Sequence, residues 1–121
     1  MTRNFKVLTY PAYGLALSLL LSAPAVAQTP AKTLAENNKA IVTDNTLAAG
    51  ATATPVAQAG PFVTRYYLSS ATLEYTYADG KKETVTRKAG TALIVLATDK
   101  RPASVKNIST TALHYISVAV K

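Results

Sequence analysis

The side chains in this chain that could do chemistry are few. Of its 121 residues one is a histidine, His114, and none is a cysteine. A thiolate nucleophile is therefore excluded, and a Ser-His-Asp arrangement would have to use His114 with no supporting partners in view. Glu74 and Glu83 are the one conceivable acid/base pair, but both also read as solvent-facing residues beside a turn. No phosphate-binding glycine loop or metalloprotease helix is present. What remains is aromatic and cationic. Tyr66, Tyr67, Tyr75, Tyr77 and Tyr115 all fall in segments of strand character. If one set faces inward, it builds a cavity with apolar walls and hydroxyl handles suited to a small organic ligand. Arg65 and Gln58 at its mouth could then orient a carboxylate or a carbonyl. The same tyrosines could instead fill the core of a small barrel or form a dimer surface.

The elements that must hold these groups are short strands. Ala40 to Thr43 reads as a first strand, broken at Asp44-Asn45. Phe62 to Leu68 is rich in aromatic and β-branched residues. In Thr72 to Tyr77, Leu73, Tyr75 and Tyr77 take one face while Thr72, Glu74 and Thr76 take the other. Asp79-Gly80 supplies a two-residue hairpin turn, returning through Glu83 to Arg87. The unbroken apolar run Ala92 to Leu96 suits a strand covered on both faces. Ala103 to Ile108 and Leu113 to Val120 complete about seven strands. With no long helical pattern and no internal repeat, the expectation is all-β, a sandwich or small barrel.

The ends and the charge bound the setting. Arg3 and Lys6, the apolar Leu15 to Leu21 and the small-x-small Ala25-Val26-Ala27 form a secretory signal, predicting cleavage after Ala27 and a periplasmic or secreted product. The apolar run is too short to span a bilayer, which needs roughly 20 residues. Removing the signal leaves 94 residues, 11 of them basic and 6 acidic, for a formal net charge of +5. The basic pairs Lys81-Lys82, Arg87-Lys88 and Lys100-Arg101 are scattered beside turns, so they read as solvated charge rather than a polyanion-binding face. Nucleic acid is not expected as a partner. Without disulfides, a domain this small must close its core well or oligomerise, which predicts a homodimer. Residues 28–38 read as a flexible leader with a helical turn around Lys32 to Asn38, and 39–121 as the barrel domain. Asn107-Ile108-Ser109 matches a glycosylation sequon, read here as coincidence.

The order of turns resembles one family. A strand, the Asp79-Gly80 hairpin, the Lys88-Ala89-Gly90 turn, the buried run Leu93 to Leu96, a loop to Pro102 and a strand ending at Asn107 are similar to the second half of a small single-domain cupin, a jelly-roll barrel. The likeness spans roughly Lys39 to Lys121. It implies that the first cupin motif lies within Leu47 to Gly60, where Gly50 fits its glycine and Pro55 precedes its first ligand. Val56 and Gln58 then stand where the family has two histidines, and Thr64 near its glutamate, with the later glycine near Ala71. The second-motif histidine falls at Ala103 by counting back from Asn107, or at Arg101 by counting on from Gly90. The family's metal ligands are thus replaced. The resemblance, so altered, implies no metal, no cofactor and no metal-dependent catalysis. The resulting expectation is a non-catalytic ligand-binding barrel using Gln58, Arg65, Tyr66, Tyr75, Tyr77, Arg101 and His114. The alternatives are a filled structural or dimerising barrel and a metal-independent isomerase or lyase.

Overall fold

The computed structural model describes residues 29–121. The segment read as a secretory signal and its expected cleavage site lie outside the described residues. The described residues form nine strands: β1 (Lys32–Glu36), β2 (Ala40–Leu47), β3 (Thr52–Ala53), β4 (Phe62–Tyr67), β5 (Ala71–Thr76), β6 (Lys82–Arg87), β7 (Ala92–Leu96), β8 (Ser104–Asn107) and β9 (Leu113–Val120). They make two antiparallel sheets, β1-β2-β9-β4-β7 and β3-β8-β5-β6. The all-β barrel expected from the sequence is the observed architecture. No helix among the described residues is long and apolar enough to cross a membrane.

Alternation along each strand sends one side chain in and the next out. Leu47, Tyr67, Leu73 and Leu113 meet between the sheets with Ala51 and Ala71 to form the buried core. Asn107, wholly buried, ties the end of β2 to the loop between β8 and β9. Its Nδ2 donates to the carbonyls of Leu47 (3.0 Å) and Thr111 (2.8 Å), and its Oδ1 accepts from the Ser109 amide (3.0 Å) and hydroxyl (2.6 Å). The sequon asparagine is therefore a structural clamp that no enzyme could reach in the folded chain.

Four local expectations are corrected. Residues expected in a flexible, partly helical leader include β1, which pairs with the free edge of β2 although all five of its residues are exposed. Backbone pairing, not burial, sets its conformation. β2 runs straight through Asp44-Asn45. Asn45 finds the Thr43 and Ser117 hydroxyls inside, and Asp44 finds His114 outside, so neither breaks the strand. The Asp79-Gly80 hairpin is a three-residue loop, Ala78–Gly80. Gly80 takes φ +86° and its amide donates to the Tyr77 carbonyl at 2.9 Å, the turn-plus-bulge form that needs a left-handed residue. Finally, β7 is an edge strand covered on one face only, leaving Ile94 59% and Leu96 46% exposed. A continuous apolar run cannot say which face lacks cover.

Candidate ligand site inside the barrel

Below the core the two sheets part around a cavity of about 440 Å³. Register places its walls. On the five-stranded sheet Thr43 pairs with Ser117, Ser117 with Arg65, Asn45 with Tyr115, and Tyr115 with Tyr67. These six side chains share the inner face and line the cavity. On the facing sheet Tyr75 pairs with Val105, and both line it. Loop residues Pro55 to Gln58 and Arg101 form the mouth, where Arg101 Nη1 donates to the Val56 carbonyl at 3.1 Å. Gly50 sets up that loop: at φ +78° it turns the chain so that its amide donates to the Asn107 carbonyl at 2.8 Å. A residue with a side chain adopts such a φ only with strain.

The electrostatics of the cavity are one-sided. No Asp or Glu lines it, whereas Arg65 and Arg101 do. Each of the six acidic residues is engaged elsewhere. Glu36 meets Lys121, Asp44 meets His114 and Glu74 meets Lys82. Asp79 accepts from the Lys81 amide, Glu83 from the Tyr77 hydroxyl and Asp99 from the Leu96 amide. Arg65, partly buried, has its guanidinium carbon 5.6 Å from the Tyr115 ring centre and no carboxylate within 4 Å among the described residues. Burial pushes the Tyr115 phenol above its ordinary pKa, while the nearby Arg65 pulls the other way. Both amide atoms of Gln58 are buried with no protein partner among the described residues.

The structure brings together Gln58, Arg65, Tyr75 and Arg101 of the residues singled out in the sequence. It separates the others. Tyr66 follows an inward Arg65 and so faces outward, 47% exposed. Tyr77 sits at the hairpin, donating to Glu83 at 2.8 Å with Lys100 Nζ 4.3 Å from its ring centre. His114 lies on the outer face with Nε2 2.6 Å from Asp44 Oδ1. Glu74 and Glu83 have separate partners and form no catalytic pair. Thr43, Asn45, Tyr67, Val105, Tyr115 and Ser117 are wall residues outside the candidate set. The signal for Tyr67 was available: on a regular strand Arg65 and Tyr66 cannot both face inward, and choosing Arg65 selects Tyr67.

No protein-family model matches the sequence, and no curated protein matches it. Solved structures do. A cupin domain from Bordetella pertussis Tohama I superposes with a TM-score of 0.68 at 13% identity, covering 83% of this chain and 99% of that one. The chain has the cupin fold. A double-stranded β-helix protein from Klebsiella pneumoniae gives a TM-score of 0.59 at 15% identity, with 75% of each chain covered. An RmlC-like cupin family protein from Methanocaldococcus jannaschii gives 0.55 at 15% identity, covering 77% of this chain and 79% of that one.

A cupin barrel raises the question of a metal, and the donor set of this one does not fit. Val56 lines the mouth but is 82% exposed, and it offers no lone pair. Gln58 lines the mouth as an amide. Thr64 alternates with the inward Val63 and Arg65 and so leaves the cavity, and Ala103 is exposed in the loop before β8. No imidazole, thiolate or carboxylate lines the cavity, and no cluster of three such residues occurs among the described residues. Two guanidinium groups occupy the space instead, and these repel a cation.

Proposed function

We propose that this is an exported, metal-free cupin domain that binds a small organic acid inside its barrel without transforming it. One observation carries the reading: Arg65 projects into a cavity lined by no acid, while every Asp and Glu of the chain is engaged elsewhere. A partly buried cation without a counter-charge favours an anionic guest. Tyr67, Tyr75 and Tyr115 give that guest aromatic walls, and Gln58 and Arg101 sit where it enters. The hydroxyls that line the cavity, those of Thr43, Ser117 and the three tyrosines among them, have no histidine or carboxylate beside them in the lining to activate them, which supports binding rather than catalysis.

Matched acids and primary amides, such as benzoate and benzamide, test this in a thermal-shift or calorimetric titration. Acids should stabilise the protein and their amides should not. Equal response to both, or to neither across a broad set of acids, would sink the proposal. Elemental analysis of the purified protein tests the metal-free state, since a stoichiometric transition metal would overturn it. Mass spectrometry of the exported form tests cleavage after Ala27.

A second element of the proposal is a homodimer through the outer face of the five-stranded sheet. Tyr66, Ile94 and Leu96 lie exposed there beside Val42, Ile116 and Val118. An apolar strip on an open sheet is better covered than wetted. Sedimentation showing a monomer at high concentration would remove this element and leave the ligand site standing.

A further inference from the structure

A second, smaller cavity of about 250 Å³ lies where β6 turns into β7. Thr86, Arg87 and Lys88 form one side, Thr91, Ala92 and Leu93 the other, and Tyr67 separates it from the large cavity. It too contains cations and no acid. Arg87 pairs across the sheet with Ala71, so no carboxylate faces it from the neighbouring strand. Its Nη2 donates to the Tyr75 hydroxyl at 3.0 Å, and its guanidinium carbon lies 5.8 Å from the Tyr67 ring centre. Its Nε hydrogen is buried without any partner among the described residues. A guanidinium carries five donors. Leaving one buried and unmade is costly, so the charge of this guanidinium, which lines the cavity, is incompletely compensated by the protein.

We propose that this cavity is a small-oxyanion site, with Arg87 as the principal donor, Lys88 as a second cation at the rim and the Thr86 and Thr91 hydroxyls in its wall. The ligand class is a compact oxyanion of the phosphate, sulfate or carboxylate type, because the lining offers cationic N–H donors and hydroxyls and no acid, in little more than half the space of the large cavity. The Thr91 hydroxyl currently donates to the Lys88 carbonyl at 2.6 Å, which holds the turn closed around the site. This site does not depend on the organic-acid reading of the large cavity. The six acidic side chains, all engaged elsewhere, leave both cavities cationic.

Backbone-amide NMR of the purified protein, titrated with sodium phosphate, sulfate or acetate against sodium chloride of equal ionic strength, tests the proposal. Saturable shifts concentrated in Thr86 to Leu93 are expected with at least one oxyanion and not with chloride. R87Q should weaken that binding about tenfold or more, the loss expected for a charge-assisted contact. K88Q, at an exposed position that leaves folding intact, should weaken it by about two- to five-fold. R65Q should leave it within about twofold, since that arginine lines the other cavity. Shifts that chloride reproduces would overturn the site, as would no saturable binding of any of the three anions. Wild-type affinity in both R87Q and K88Q would overturn it as well. A protein that takes oxyanions here but no organic acid in the barrel loses only the proposed function, and the converse loses only this site.

Discussion

Arg65→Met tests the cationic cavity most directly, because it should leave the stability of the empty protein nearly unchanged while weakening binding strongly. Methionine keeps much of the aliphatic stem and removes the charge. In the empty protein the guanidinium contributes a contact with the Tyr115 ring at 5.6 Å, worth about 0.5–1 kcal/mol. Against that stands the desolvation of a partly buried cation with no acid beside it, which is of similar or larger size. The two nearly offset, so stability from urea melts should stay within about 1 kcal/mol of the parent. Binding should behave differently. A carboxylate held by Arg65 through a charge-assisted hydrogen bond loses about 1.5–3 kcal/mol on substitution, or roughly 10- to 150-fold in Kd. Tyr115 supplies an independent readout. Arg65 restrains the upward shift that burial imposes on the phenol, so its removal should raise the Tyr115 pKa further. Calorimetry with benzoate, urea melts and ultraviolet titration of the tyrosines together decide the matter. A variant that loses several kcal/mol of stability yet binds the acid unchanged would refute the assignment of Arg65 to ligand rather than to fold.

The other predictions are simpler. Because burial raises the folded-state pKa of Tyr115, the stability it confers is complete below the unfolded phenol value of about 10 and is lost as pH rises past it. Urea midpoints should therefore fall above about pH 10, and Y115F should flatten that fall. N107A removes four hydrogen bonds and strands the buried Leu47 carbonyl, so it should cost about 3–5 kcal/mol in chemical denaturation. H114Q breaks a half-exposed pair with Asp44 on the outer face; calorimetry should show unchanged acid binding, and melts a loss below about 1 kcal/mol. Y66S should weaken self-association in sedimentation while leaving acid binding unchanged, because Tyr66 faces away from the cavity.

What the sequence revealed and what it hid divide along physical lines. Turn chemistry and two-residue alternation are local, so the strands from Phe62 onward and the Lys88-Ala89-Gly90 turn were legible. That Val56 and Gln58 bring no imidazole was legible too, since the donor atoms of a side chain are evident without coordinates. Cover was not. Ile94 and Leu96 look buried in sequence and are exposed because they point to the outer face of the sheet, which no second layer covers. Pairing partners were equally hidden. Lys32 to Glu36 has no apolar face, and only the open edge of β2 makes it a strand. The cavity wall fell between these cases: Arg65 was identified, but Tyr66 was preferred over Tyr67 although alternation forbids Arg65 and Tyr66 the same face. Asn45 looked like a strand break because its partners, on Thr43 and Ser117, come together only in the sheet.

The complete burial of Asn107 bears on how this protein could be manufactured. Asn107-Ile108-Ser109 is a valid acceptor in any host that attaches glycans to Asn-X-Ser, but only while the chain is unfolded. Modification and folding would then be competitors. A chain that closes first hides the amide for good, and a chain modified first carries a bulky sugar where the Leu47 and Thr111 carbonyls expect two donors. In a eukaryotic secretory host the glycosylated fraction would thus act as a clock for barrel closure, and every molecule it marks would be one that cannot finish folding.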